Sequence, residues 1–225
     1  RHMAAKIVGY YPVPSSVDGS KSAIVQLAFP IKGSAGYGKN IPMLLTAIAG
    51  NILSMPGKVF LQDIALPRPF AEAFPGPRFG VAGIRQMLDV PDRPLVNMMV
   101  KPKVGLSAET IGNMCYEAAM GGVDHIKDDE MASNVYNCSF SDRLNQAMIG
   151  LKRAYEETGK KAIYTINVTD QATKMMDKAL RAVEHGANAL MVSFPAGFEA
   201  LRTLASDPRI NVPILFHPTH SDAVK

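Results

Sequence analysis

From Pro94 onward, short unbroken apolar runs alternate with longer stretches in which apolar side chains recur every three or four residues. Apolar runs of this length mark buried strands, and the three-to-four spacing marks amphipathic helices. The runs predict strands at Leu95–Lys101, His125–Asp129, Ala162–Val168, Ala189–Phe194 and Pro213–His217. Between them, Ile111, Met114, Cys115 and Ala118 predict a helix capped by Ser107 and stopped at Gly121-Gly122. Leu144, Ala147, Met148 and Leu151 predict a second helix, starting after Ser141 and ending at Gly159. Met176, Ala179, Leu180 and Val183 predict a third, closed by Gly186, and Phe198–Ala205 a short fourth. Strands alternating with amphipathic helices imply parallel βα units. Five such units suit either an open doubly wound sheet or part of an eight-fold barrel. No Gly-x-Gly-x-x-Gly follows a strand, so the dinucleotide reading lacks its fingerprint.

The first 90 residues follow another pattern. Strands are expected at Lys6–Tyr11, Ala23–Phe29 and Lys58–Ile64, with a helix from about Pro42 to Leu53 after the glycine-rich stretch Gly33–Gly38. Strands without regular βα alternation indicate a small α+β layer. The division expected is therefore residues 1–90 and residues 91–225.

Composition narrows the classes. Hydrophobic residues make up 47% and charged residues 20% of the 225, as in a packed globule. The net charge of +4 is small and its lysines and arginines are scattered, which argues against a nucleic-acid surface and is compatible with a phosphorylated ligand. No apolar run reaches the length of a membrane span, and no signal-peptide pattern opens the sequence, so no membrane partner and a cytoplasmic location are expected. Cys115 and Cys138 fit no metal spacing and are read as reduced thiols.

Polar residues collect where the strands are expected to end. Lys101-Pro102-Lys103 follows the first parallel strand, and residues two apart on a strand face the same way. Lys127-Asp128-Asp129-Glu130 follows the second, with Lys127 and Asp129 on one face. Adjacent carboxylates at a strand end are the ligand type that a hard divalent ion takes. Each cluster alone is ordinary surface sequence. In a barrel the strand ends open onto one face, so the lysines, carboxylates and His217 would converge there. Asn167-Val168-Thr169 matches the glycosylation triplet and is read simply as strand-end sequence.

Lys101 to Ser107 resembles the first-strand motif of the ribulose-bisphosphate carboxylase large-chain family. Gly121-Gly122-Val123-Asp124-His125-Ile126-Lys127-Asp128-Asp129-Glu130 resembles its second-strand motif, at the family's separation. Leu45-Thr46-Ala47-Ile48-Ala49-Gly50-Asn51, Phe74-Pro75-Gly76-Pro77 and Arg93-Pro94-Leu95 follow in family order. The resemblance implies a ferredoxin-like α+β domain, incomplete at its start, followed by a (β/α)8 TIM barrel of which about five units are present. It implies a homodimer in which Asn51 reaches the partner's active site. It also implies that Lys127 takes up carbon dioxide to become a carbamate and binds Mg2+ together with Asp129 and Glu130. Lys101 would act as acid/base, and Asn51, Lys101, Lys103 and His217 would contact a phosphorylated sugar.

The departures from the family pattern set the function expected. Met99 stands where the family's carboxylases carry threonine, and Pro218 where they carry a phosphate-binding arginine. Proline offers no donor, so that phosphate contact cannot be made the same way. His217-Pro218-Thr219 resembles the carboxylase-like relatives. The Lys-Pro-Lys pattern is one that the methionine-salvage enolase branch typically replaces, which leads away from that branch. The expectation is a carboxylase-like enzyme that enolises, isomerises or decarboxylates a phosphorylated keto sugar or sugar acid. The alternatives are a genuine carboxylase and a non-catalytic scaffold; joint retention of Lys101, Lys127, Asp129 and Glu130 argues against the scaffold.

Overall fold

The computed structural model describes residues 4–14, 19, 21–30, 40–50, 59–74 and 76–221. The chain divides into two compact units, Arg1–Pro75 and Gly76–Lys225.

In the first unit, β1 (Lys6–Val13) and β2 (Ser22–Ala28) form an antiparallel pair, with Lys6 opposite Ala28 and Val13 opposite Ser22. The register slips between Ile7 and Gly9, a bulge of the kind that bends and twists a strand. Helix α1 (Ile41–Ala49) begins at Asn40, whose side chain accepts from the Met43 amide at 3.1 Å, with Pro42 in its first turn. A four-residue helix, α2 (Arg68–Ala71), follows. The strand expected at Lys58–Ile64 does not form over its described part: residues 59–67 are irregular. A strand needs a ladder partner, and the described hairpin pairs only with itself.

In the second unit, α3 (Gly80–Leu88) precedes a parallel sheet of β3 (Asn97–Met99), β4 (His125–Lys127), β5 (Ile163–Asn167), β6 (Ala189–Ser193) and β7 (Ile214–His217). The strands lie in chain order, each hydrogen-bonded to the next, as half of a βα barrel. The intervening helices are α4 (Ala108–Met120), α5 (Phe140–Thr158), α6 (Ala172–Glu184) and α7 (Phe198–Ser206). Ser107 caps α4, accepting from the Thr110 amide at 3.1 Å, as its sequence position predicts. Helix α5 starts earlier than expected, because Ser139 rather than Ser141 caps it, accepting from the Asp142 amide at 3.1 Å. Asp89 and Gly159, both in the left-handed region, end α3 and α5.

The strands sort their side chains by parity. Ile126, Tyr164, Ile166, Leu190 and Val192 pack with Leu144, Ala147 and Ala179 in the main core, on the helix side. On the opposite face, Ile163 and Ala189 meet Leu88 and Val90 in a second cluster, at the strands' N-terminal ends. Helix α3, absent from the sequence reading, therefore belongs with the sheet. The opposite, C-terminal strand ends carry the polar residues.

Candidate active site

Lys127 is the last residue of β4 and is almost fully buried. Its ammonium donates to the Asp128 carbonyl at 2.8 Å. Burial pushes this amine below the usual lysine value, while the charges of Glu130 and Asp129 pull it back up. Asp129 is buried, receives the Lys101 ammonium on Oδ2, and accepts from the Met131 amide on Oδ1 at 3.0 Å. Burial opposes its charge, but the Lys101 and Met131 donors outweigh that and hold its carboxyl below the ordinary value. Lys101 is correspondingly raised by its bond to Asp129. The Lys101 cation therefore sits on the carboxylate that the family resemblance assigns to a divalent ion.

His217 ends β7, three strands away from Lys127 in the sheet. Burial and then the Lys127 charge push its imidazole down, Glu130 and Asp129 act the other way, and Lys101 adds to the push. All five groups thus lie within electrostatic reach of one another at the C-terminal ends of the strands. Lys103 also acts on Asp129, from an exposed position. Strand alternation does not place the lysines there. Strand β3 stops at Met99, and Lys101 to Gly105 are successive bends. The loop, rather than strand parity, brings Lys101 to Asp129. Asn51 lies outside the described residues.

Parity does govern Asp128. Lys127 faces the concave side, so Asp128 turns to the helices, where Arg143 Nε donates to its Oδ2 at 3.1 Å. Tyr164 donates its hydroxyl to Oδ1, and the Asn167 amide donates to Oδ2 at 2.9 Å. Arg143 also donates to the carbonyls of Ala132 and Cys138. Lys178, buried on α6, donates to Ser133 O at 2.9 Å and Ser133 Oγ at 2.6 Å and pairs with Asp170 at 3.3 Å. Two buried cations from successive helices thus hold the loop that follows Glu130. Sequence reasoning missed Arg143 and Lys178. The available signal was a cation placed in the apolar stripe of an amphipathic helix.

The donor chemistry can be tested for a divalent ion. Among the described residues, no three His, Cys, Asp or Glu side chains are grouped to hold a metal by themselves. Asp129 and Glu130 would supply two carboxylates, and a carbamate on Lys127 would supply a third anionic ligand. A desolvated amine shifted toward its neutral form, beside two carboxylates, fits that chemistry. The residues present fit the group.

The sequence model described as ribulose bisphosphate carboxylase large chain, catalytic domain, matches residues 80–224. The chain belongs to that family. It is 42% identical to the ribulose bisphosphate carboxylase-like protein of Archaeoglobus fulgidus over 96% of this chain and 50% of that protein. It is 37% identical to 2,3-diketo-5-methylthiopentyl-1-phosphate enolase of Bacillus licheniformis, over 92% of this chain and 50% of that enzyme. Among solved structures it matches a rubisco-like protein from Alicyclobacillus acidocaldarius with a TM-score of 0.89 and 32% identity, covering 97% of this chain and 55% of that one. The chain thus spans about half the length of the curated relatives it matches. Those relatives include the enolase branch that the Lys-Pro-Lys pattern led away from. Among the described residues, no helix is long and apolar enough to cross a membrane.

Proposed function

We propose that this chain carries a magnesium-dependent site for enolate chemistry on a phosphorylated keto compound. The Lys101–Asp129 ion pair, formed just past β4 beside the buried Lys127, supports this reading most directly, and Glu130 and His217 lie within electrostatic reach of it. Asp129, Glu130 and a carbamate on Lys127 would hold the ion, whose contribution when bound is Lewis-acid stabilisation of the oxyanion. Lys101 would remove or return the proton beside the carbonyl, and Lys103 and His217 would orient the substrate. Removing that proton leaves an enediolate, which then takes a proton on the neighbouring carbon or at the same one. Asn51 of a second copy would complete the site in a homodimer.

The substrate class is a phosphorylated keto sugar, sugar acid or diketo phosphate. The last comes from the name of the Bacillus licheniformis relative. Genuine carboxylation is disfavoured by Met99 and Pro218. One lost charged hydrogen bond to phosphate costs about 1.5–3 kcal/mol, roughly ten- to a hundredfold in binding.

The test pairs deuterium wash-in on a panel of keto phosphates, including the diketo compound, with fixation of labelled bicarbonate on ribulose bisphosphate. Exchange on at least one panel member, abolished by Lys127→Ala, with negligible fixation, is expected. Robust carbon fixation, or no exchange on any member by the full chain, would overturn the proposal.

A further inference from the structure

We infer that Asn167 is a positioning residue for the two carboxylates that follow β4; this rests on reading Asp129 and Glu130 as ligands. Asn167 ends β5 and is completely buried. Its Nδ2 donates to the backbone carbonyl of Asp129 at 3.2 Å and to that of Glu130 at 2.9 Å. Its Oδ1 accepts from the Thr169 amide at 3.0 Å. These partners fix the orientation of the side-chain amide, because carbonyls only accept and a backbone N–H only donates. The Asn167 backbone amide meanwhile donates to Asp128 Oδ2 at 2.9 Å.

One residue therefore touches three consecutive positions: the carboxylate of Asp128 and the peptide carbonyls of Asp129 and Glu130. A side chain's reach starts from its own backbone, so clamping both peptide groups sets where both carboxylates begin. Asp128 anchors the clamp, since Arg143 and Tyr164 hold the same carboxylate inside the core. Groups that orient the ligands of a metal commonly govern its affinity nearly as much as the ligands do. The Asn-Val-Thr triplet thereby acquires a use inside the protein: the asparagine clamps the ligand loop and the Thr169 amide holds the asparagine.

The experiment compares the unaltered full chain with Asn167→Ala and with the core variant Ile210→Val. Magnesium affinity with bicarbonate present is read by titration calorimetry, and melting temperature separately. Asn167→Ala should bind magnesium about ten- to a hundredfold more weakly. Ile210→Val, which trims a buried side chain that takes no part in the bonds of the clamp, should lose melting temperature without losing affinity. Should Asn167→Ala fail to fold, Asn167→Asp, which keeps the shape and replaces the donating Nδ2 by an oxygen, carries the same test. Equal affinity in the clamp variant, or an equal loss of affinity in the core variant, overturns the inference. Crystal structures grown without magnesium give a metal-free readout. The Asp129 and Glu130 carboxylates should shift by more than about 0.5 Å in the clamp variant, and unmoved carboxylates overturn the inference. An unaltered chain that binds no magnesium would overturn the functional reading alone, and the carboxylate positions would still decide the role of Asn167.

Discussion

Tyr164 donates its phenolic hydroxyl to Oδ1 of Asp128, joining β5 to the residue that follows β4 with both side chains inside the protein. Arg143 approaches the same carboxylate from α5 and is wholly buried as well. Burial pushes the Asp128 carboxyl and the Tyr164 phenol upward, while the Arg143 charge opposes both shifts. Such a network stabilises only while every member is satisfied.

Arg143→Met should therefore cost about 3–5 kcal/mol, because it strands the Asp128 charge in the core. Adding Asp128→Asn to the Arg143→Met variant removes that charge and should recover part of the loss. Urea unfolding of the single and double variants measures this. A single variant within about 1 kcal/mol of the unaltered chain would show that Asp128 does not depend on the guanidinium.

Helices α4 and α5 meet backbone to backbone. A Cβ built on Gly112 would lie 2.7 Å from the Gln146 carbonyl oxygen, and one on Gly150 would collide with the Gly112 carbonyl. Alanine is the better helix former by about 0.5–1 kcal/mol. Overpacking costs about 1–3 kcal/mol, so Gly150→Ala should lose a net 1–2 kcal/mol or so. A higher melting temperature for this variant would mean that the two helices separate freely.

Asp124 is buried and accepts from Arg93 at 2.6 and 2.7 Å and from the Val96 amide at 2.8 Å. The Arg93 guanidinium does most to hold this carboxyl below its ordinary value, with burial working against it. A depressed folded value gives a contribution that is present above the unfolded carboxylate value of about 3.9 and lost as pH falls through the folded one. Asp124→Asn should therefore melt below the unaltered chain at neutral pH. The gap should close as the solution is acidified below about pH 4. Melting curves across that range decide it, and a gap that widens on acidification would reverse the sign.

The βα half of the chain was legible because its signals are local. The apolar runs, the Ser107 cap, and the glycines after α4 and α5 act within a few residues, so spacing alone located all five parallel strands. The clustering of Lys101, Lys127, Asp129, Glu130 and His217 followed from the order of strand ends, which parallel connections impose. Helix α3 was missed although Val81, Ile84 and Leu88 recur at helical spacing, because its brief pattern lies among prolines and glycines. The expected strand over residues 58–64 failed over residues 59–64 for the opposite reason: apolar composition is local, but a ladder partner is not.

Local spacing thus accounts for the alternation of elements, the edge on which polar groups gather, the shared face of Lys127 and Asp129, and the family resemblance. What holds Asp128 on the helix side, and so keeps Asp129 on the concave side, came from packing alone. Parity allows Asp128 and Asp129 to exchange roles with a one-residue slip of β4. The slip is resisted by Arg143, Tyr164 and the Asn167 amide, which come from α5 and β5 and meet at a single carboxylate. That meeting depends on the rotational phase of a helix against a sheet, which packing of the whole core sets and no short window of residues contains.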